Sequence, residues 1–208
     1  MSPAGLGGDG PCDLPASRRI LGRRVLAAGR VQSFVSEEVE LPGAGVVVRE
    51  FTDHPGAVAI MAMDDAGRVL LQRQYRHPVR SELWEPPAGL LDEPGEAPLA
   101  AAKRELAEEA DLLAQDWRRL IEFYTTPGGC NERIAVFLAR GLSKIPVSDQ
   151  FSREDEESDL VPVWIDLEEA AARVMDGSLV SPTATVGILA LSQAARTPAG
   201  LDALPPAE

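Results

Sequence analysis

Residues 87–112 read as a strand end, a broken loop and a helix in that order, and they constrain the chain more than any other segment. Pro94-Gly95 interrupts the chain ahead of Glu96, and Pro98 is tolerated in a helix only within its first turn. A strand ending near Pro87 therefore meets a loop, and the loop feeds a helix from about Pro98 to Ala110. Leu99, Ala102, Leu106 and Ala110 recur at helical spacing and are expected to form its buried side. Glu105, Glu108 and Glu109 stand at i, i+3 and i+4, so at about 100° per residue they share a neighbouring face. Like charges at that spacing repel by ~0.3 kcal/mol per pair. A hard divalent cation reverses that balance, because magnesium takes oxygen ligands and completes its shell with waters and substrate phosphates. In a chain of net charge -13 a solvated acidic face is the plainer explanation, so the carboxylates alone do not decide the matter.

The remaining elements point to an α+β fold. Val25-Leu26, Val39-Glu40-Leu41 and Val46-Val47-Val48 are short β-prone stretches parted by Gly and Pro turns. Ala57 to Met63 and Val69 to Tyr75 read as two strands joined by Asp64-Asp65-Ala66-Gly67, a hairpin signal. Glu82 to Glu85 follows, and strands are expected near Leu120 to Tyr124, Ile134 to Ala139 and Val161 to Ile165. Leu167 to Met175 and Thr183 to Arg196 are expected to be helical. Strands mixed with helices packed on either side suggest an α/β/α sandwich. The expected organisation is a disordered tail over 1–17, an N-terminal β-rich segment over 18–55, the main domain over 56–196, and a flexible proline-containing tail over 197–208.

Composition removes several functional classes. The longest strongly apolar run, Ala57 to Met63, is far too short to span a bilayer, so no membrane partner is expected. Met1 to Ser17 is rich in Gly and Pro without the apolar centre of a signal peptide. Cys12 and Cys130 do not make a disulfide framework, which fits a reducing, cytoplasmic compartment. Cys130, beside Gly128-Gly129, reads as a small loop residue, and with only His54 and His77 a His-rich zinc site is not expected. The acidic balance argues against nucleic acid, which needs a concentrated basic surface. Arg18-Arg19 and Arg23-Arg24 read as surface or subunit-interface charge.

The segment Gly89 to Leu112 resembles the Nudix box: Gly, five residues, Glu, seven residues, then Arg-Glu-aliphatic-x-Glu-Glu-x-Gly-aliphatic. Glu96, Arg104, Glu105, Leu106, Glu108, Glu109 and Leu112 match it. Six residues rather than five separate Gly89 from Glu96, a loop insertion that leaves the helix register intact. Asp111 stands where the family has Gly in a left-handed helix end, a conformation that Asp adopts at modest cost, so activity is expected to survive. The resemblance implies a Nudix-type α/β/α sandwich over roughly Gly56 to Ala195 and metal-dependent hydrolysis of diphosphate bonds, using two or three Mg2+ or Mn2+ ions.

Flanking residues are similar to the ADP-ribose pyrophosphatase subgroup. Pro127 lies sixteen positions after Asp111, followed by Gly128 and the pair Glu132-Arg133. Gln74-Tyr75-Arg76 precedes Trp84-Glu85-Pro86-Pro87-Ala88-Gly89, where the subgroup usually has an aliphatic residue at the Pro86 position. The resemblance implies cleavage of ADP-ribose to AMP and ribose 5-phosphate by a metal-activated water. It assigns metal binding to Glu105, Glu108, Glu109 and the carbonyl of Ala88. Arg104, four residues before Glu108, is suited to orient the carboxylates through a charge-assisted hydrogen bond, and Glu96 to organise the loop. Arg76 would meet the diphosphate with its guanidinium fork, while Glu132, Pro127 and Glu85 complete the substrate-binding set. A base is expected in the acidic run 154–159, with Glu156 the first choice and Glu157 the second. The subgroup also implies a homodimer, with the N-terminal strands swapped or folded back. Two alternatives stay open: another nucleoside diphosphate sugar such as GDP-mannose, and a non-catalytic ligand-binding module on the same fold.

Overall fold

Alternation of β-prone and turn residues in the first quarter of the chain produces antiparallel strands. The computed structural model describes residues 6–7, 10–150 and 160–207; Glu156, Glu157 and most of the first nine residues lie outside the described residues. Leu6–Gly7 (β1) pairs with Gly10–Pro11 (β2). Arg19–Ala28 (β3), Ser33–Leu41 (β4) and Gly45–Asp53 (β5) form an antiparallel sheet in the order β3-β4-β5. Register shifts at Ile20/Gly22 and Val25/Ala27 mark bulges in the edge strand β3. Arg23 sits opposite Glu37 in that ladder, donates to its Oε1 at 2.8 Å and also pairs with Asp53. The basic stretch is thus partly neutralised within its own sheet. These strands belong to a compact unit, Met1–Asp53.

The second compact unit, His54–Glu208, is organised by Ala57–Ala62 (β6), every position of which is buried. It lies between Ala88–Leu90 (β9) and Arg133–Lys144 (β11) in a mixed sheet of order β10-β11-β6-β9, where β10 is Leu112–Tyr124. A strand covered on both faces has no reason to alternate with polar residues, and β6 is apolar throughout. Ala57, Ala59 and Met61 join Val136, Leu138 and residues of the helices Leu167–Met175 (α2) and Pro182–Ala195 (α3) in one core. Val58, Ile60 and Ala62 join Ala135, Phe137 and the helix Pro98–Ala110 (α1) in the other. Helices on both sides of the sheet make the α+β sandwich expected from the sequence.

The expected hairpin is only partly realised. Asp64 Oδ1 accepts the N–H groups of Ala66 and Arg68 at 3.0 and 2.9 Å, closing the turn. After a single bridge, Met63 to Val69, the strands part, and Arg68–Arg76 (β7) pairs instead with Ser81–Glu85 (β8) and Val161–Asp166 (β12). A turn signal fixes local chain reversal, whereas the sheet a strand joins depends on its long-range partners.

Strand β10 begins at Leu112 rather than near Leu120. Its polar first half is an edge segment whose charges are met across the ladder: Arg140, opposite Asp116, donates to it through Nε and Nη2 at 3.0 and 2.6 Å. The outer edge of β10 carries part of the C-terminal segment, with Arg119 N–H donating to the Pro205 carbonyl at 2.9 Å and Ala207 N–H to the Trp117 carbonyl at 3.0 Å. An extended segment laid there covers backbone groups that would otherwise offer an open sheet edge.

Candidate active site

The start and end of α1 follow from local chemistry. Pro98 occupies the first turn, and Asp111 closes the helix at φ 53 and ψ 37, the left-handed conformation expected at this position. Its N–H donates to the Ala107 carbonyl at 3.1 Å. The buried stripe is Ala101, Ala102, Glu105 and Leu106, with Leu99 and Ala110 only partly covered. Glu105 is therefore not on a solvated face beside the core, as its charge suggested, but 9% exposed.

Gly89 explains where the Glu105 side chain goes. A Cβ built on Gly89 would lie 1.9 Å from both Cδ and Oε1 of Glu105, so the carboxylate occupies the space that any other residue would fill. Strand β9 is held in place by β6, with Ala88 opposite Ala59 and Gly89 opposite Val58. One turn along α1, Glu109 Oε2 accepts the Ala88 N–H at 3.0 Å. Gln72, buried in β7, donates from Nε2 to the Glu109 carbonyl at 2.7 Å. Helix α1 is thereby keyed to two strands along its acidic side.

Arg104 is the charge hub of this platform. Its Nε and Nη2 donate to the two oxygens of Glu96 at 3.2 and 3.0 Å, and Nη1 reaches Glu105 Oε1 at 2.6 Å and Glu108 Oε2 at 3.0 Å. The Glu96 hydrogen bonds lead in holding the guanidinium pKa above its usual value, with Glu105 and Glu108 adding to them. The same bonds hold the Glu96 carboxyl below the usual carboxylate range. Bidentate pairing with a loop residue overcomes the less favourable Arg-before-Glu order along the helix.

One guanidinium faces three carboxylates, those of Glu96, Glu105 and Glu108, and Glu109 follows on the same helix. Among the described residues, no three acidic, His or Cys side chains are placed to enclose an ion. Glu105 and Glu108 turn toward Arg104, and Glu109 toward the Ala88 N–H. The donor set nevertheless fits a hard divalent cation: carboxylate oxygens on successive helix turns with a strand backbone alongside.

A small cleft adjoins the platform, lined among others by Gln74, Arg76, Pro86, Ala88, Glu109 and Leu160. Arg76 therefore lies on the same cleft as Glu109. Glu85 stands behind it: Glu85 Oε2 accepts from Arg76 Nε and Nη2 at 2.9 and 2.6 Å, and Oε1 accepts from the Ser181 hydroxyl at 2.9 Å. The sequence carries no signal for this contact, since Ser181 and Glu85 are 96 positions apart.

Pro127 and Glu132 lie in the β10–β11 connection and are not among the described residues lining that cleft. The Pro127 turn closes through Gly129 and Cys130 N–H groups donating to the Thr126 carbonyl, both at 2.9 Å. Glu132 Oε2 accepts from the Thr125 hydroxyl at 2.7 Å, and its Oε1 lies 3.7 Å from His54 Nε2. His54 Nδ1 accepts the Gly56 N–H at 3.1 Å, which leaves Nε2 to carry the proton in the neutral ring. The expected base, Glu156 or Glu157, lies outside the described residues. A larger cavity of about 700 Å³ opens elsewhere, by Leu91, Pro98 and Phe137, but its Arg119, Glu122 and Arg133 are paired with one another.

Residues 53–181 match the family model described as the NUDIX domain. The chain is a Nudix hydrolase. It is 42% identical over 166 residues to an ADP-ribose pyrophosphatase of Mycobacterium tuberculosis, covering 80% of this chain and 79% of that one. It is 37% identical over 153 residues to an ADP-ribose pyrophosphatase of Bacillus subtilis, covering 73% and 80%. A crystal structure of an ADP compounds hydrolase superimposes with a TM-score of 0.72 at 22% identity, covering 89% of this chain and 97% of that chain, which establishes the shared Nudix fold. Among the described residues of this Nudix hydrolase, no helix is long and apolar enough to cross a membrane.

Proposed function

We propose that this Nudix hydrolase cleaves the diphosphate bond of ADP-ribose, giving AMP and ribose 5-phosphate. The observation that carries the reading is the keyed platform itself: Glu105 over Gly89, Glu109 on the Ala88 N–H, and Arg76 across the same cleft. The two ADP-ribose pyrophosphatases among its relatives support the choice of substrate. Glu105, Glu108, Glu109 and the Ala88 carbonyl would hold Mg2+ or Mn2+, two or three ions in all, with Arg104 orienting the carboxylates. When bound, such ions offset diphosphate charge and acidify an attacking water.

Arg76 binds and orients the diphosphate, its planar fork matched to phosphate oxygens. Glu156 or, second, Glu157 takes the proton from the water. The water oxygen bonds to one phosphorus as the bridging oxygen departs with the other phosphate, so the two products account for substrate plus one water. Glu132 and Pro127 belong in this reading to the nucleoside end, with Glu132 preset by Thr125 and His54. The catalytic domain spans 56–196, flanked by the β-rich segment 18–55 and by tails over 1–17 and 197–208, in a cytoplasmic homodimer whose N-terminal strands mediate assembly. Light scattering at the mass of a single chain would contradict the dimer.

The test is product analysis with ADP-ribose, GDP-mannose and NADH at equal concentration in magnesium. Faster release of AMP and ribose 5-phosphate from ADP-ribose supports the proposal. Preference for another nucleotide overturns the substrate while keeping the chemistry, and absence of turnover in magnesium and again in manganese favours a binding module.

A further inference from the structure

We infer that Ser181 is a positioning residue for Arg76, acting through the Glu85 carboxylate; the inference rests on the reading of Arg76 as a diphosphate-binding group. Ser181 immediately precedes α3, where a Ser hydroxyl ordinarily accepts an N–H from the first helical turn. Here its side chain makes no capping bond. The hydroxyl donates instead to Glu85 Oε1 at 2.9 Å, in a position 1% exposed. A local stabilisation worth having at almost any helix start has been given up for a contact with a residue 96 positions away.

The geometry shows what that contact does. Both Arg76 bonds converge on a single oxygen, Glu85 Oε2, and because the last carboxylate torsion is soft, a half-exposed arginine gripping that oxygen alone can swing together with it. Ser181 holds the other oxygen and fixes the plane. Glu85 is itself 8% exposed at the end of β8, so water is a poor substitute for the hydroxyl. Arg76 ends β7 with its side chain 44% exposed on the cleft shared with Glu109 and Ala88. A long side chain in that setting loses rotamer freedom when it grips a ligand, and fixing it beforehand lowers that penalty. Strands β7 and β8 and the start of α3 thus meet in one relay that presets the guanidinium.

The experiment compares wild type, Ser181→Ala and Ser181→Thr, with thermal unfolding confirming that each folds. Ser181→Ala is expected to raise KM for ADP-ribose about tenfold while kcat stays within about twofold, because a contact made equally in the ground and transition states is weakened. Ser181→Thr, which keeps the hydroxyl, is expected within about threefold of wild type. A lowered melting temperature with unchanged KM would make Ser181 merely structural and overturn the inference. If the alanine variant does not fold, Ser181→Cys, near in size and a much weaker donor, is read the same way. A substrate-independent readout is the Arg76 Nε–H signal in a proton–nitrogen NMR spectrum, assigned by its loss in Arg76→Lys. The signal is expected to be sharp in wild type and to broaden or move toward the position of a free arginine in Ser181→Ala. An unchanged signal overturns the inference even in an inactive protein, whereas absence of wild-type turnover overturns only the hydrolase reading.

Discussion

Gly89→Ala isolates the contact on which the platform rests. Gly89 is in extended backbone within β9 rather than in the left-handed region, so alanine is acceptable to the main chain. The whole effect falls on Glu105, whose Cδ and Oε1 lie 1.9 Å from the new Cβ and whose Cγ lies 2.3 Å away. Ordinary contact begins near ~3.5 Å, so the carboxylate must retreat by roughly 1.5 Å. The displaced atoms are the end of a flexible side chain, and an altered rotamer costs about 1 kcal/mol. In a chain of this size that corresponds to a melting temperature lower by about 2–4 °C. With Glu105 holding metal as proposed, activity should suffer far more, since a misplacement of about 1 Å at a reacting site can cost on the order of 100-fold. The assay is AMP release from ADP-ribose beside thermal unfolding, repeated in a Glu105→Ala background. There Gly89→Ala should have little further effect on either quantity, because the group it displaces is gone. Wild-type kcat/KM in Gly89→Ala, or full additivity of the two substitutions, would refute the argument.

Three further outcomes are expected. Glu109→Gln keeps an oxygen for the Ala88 N–H and leaves the backbone bond to Gln72, so the fold should hold while kcat falls about 100-fold or more; steady-state kinetics with near-wild-type unfolding would bear this out. Chelation should abolish turnover and added magnesium restore it, and activity persisting in metal-free protein would contradict the cation-binding role of α1. Glu96 is held below the usual carboxylate range by Arg104, and in Asp116 the hydrogen bonds from Arg140 and Arg118 outweigh the upward push of burial. Both folded-state values lie below the unfolded ones, so their stabilisation is present above about pH 4 and is lost as pH falls through the depressed values. Denaturant midpoints between pH 6 and 3 should therefore fall less steeply in Glu96→Gln than in wild type, and equal slopes would count against the Arg104 pairing.

Much of the fold was legible in local chemistry. Pro98 set the start of α1, Asp111 its end, and Asp166 caps α2 by accepting the N–H groups of Glu168 and Glu169. The apolar run of β6 reflected burial on both faces. What escaped depended on distant partners. Strand β7 left its turn partner for β8 and β12, and the polar half of β10 needed Arg140 across the ladder to read as a strand. Spacing placed Glu105, Glu108 and Glu109 together, but Gly89 decides that Glu105 is buried. Ser181 lies far from Glu85 in sequence, and nothing near either residue marks their contact.

The most direct test of the central claim is to titrate Mn2+ into wild type and into a Glu105→Gln, Glu109→Gln double variant, following bound ion by electron paramagnetic resonance and AMP release in the same samples. The account predicts that wild type binds Mn2+ over the concentrations that switch on ADP-ribose cleavage, and that the folded variant loses both together. Cleavage by the variant at the wild-type rate, or undiminished Mn2+ binding without Glu105 and Glu109, would place the chemistry somewhere other than the acidic side of α1.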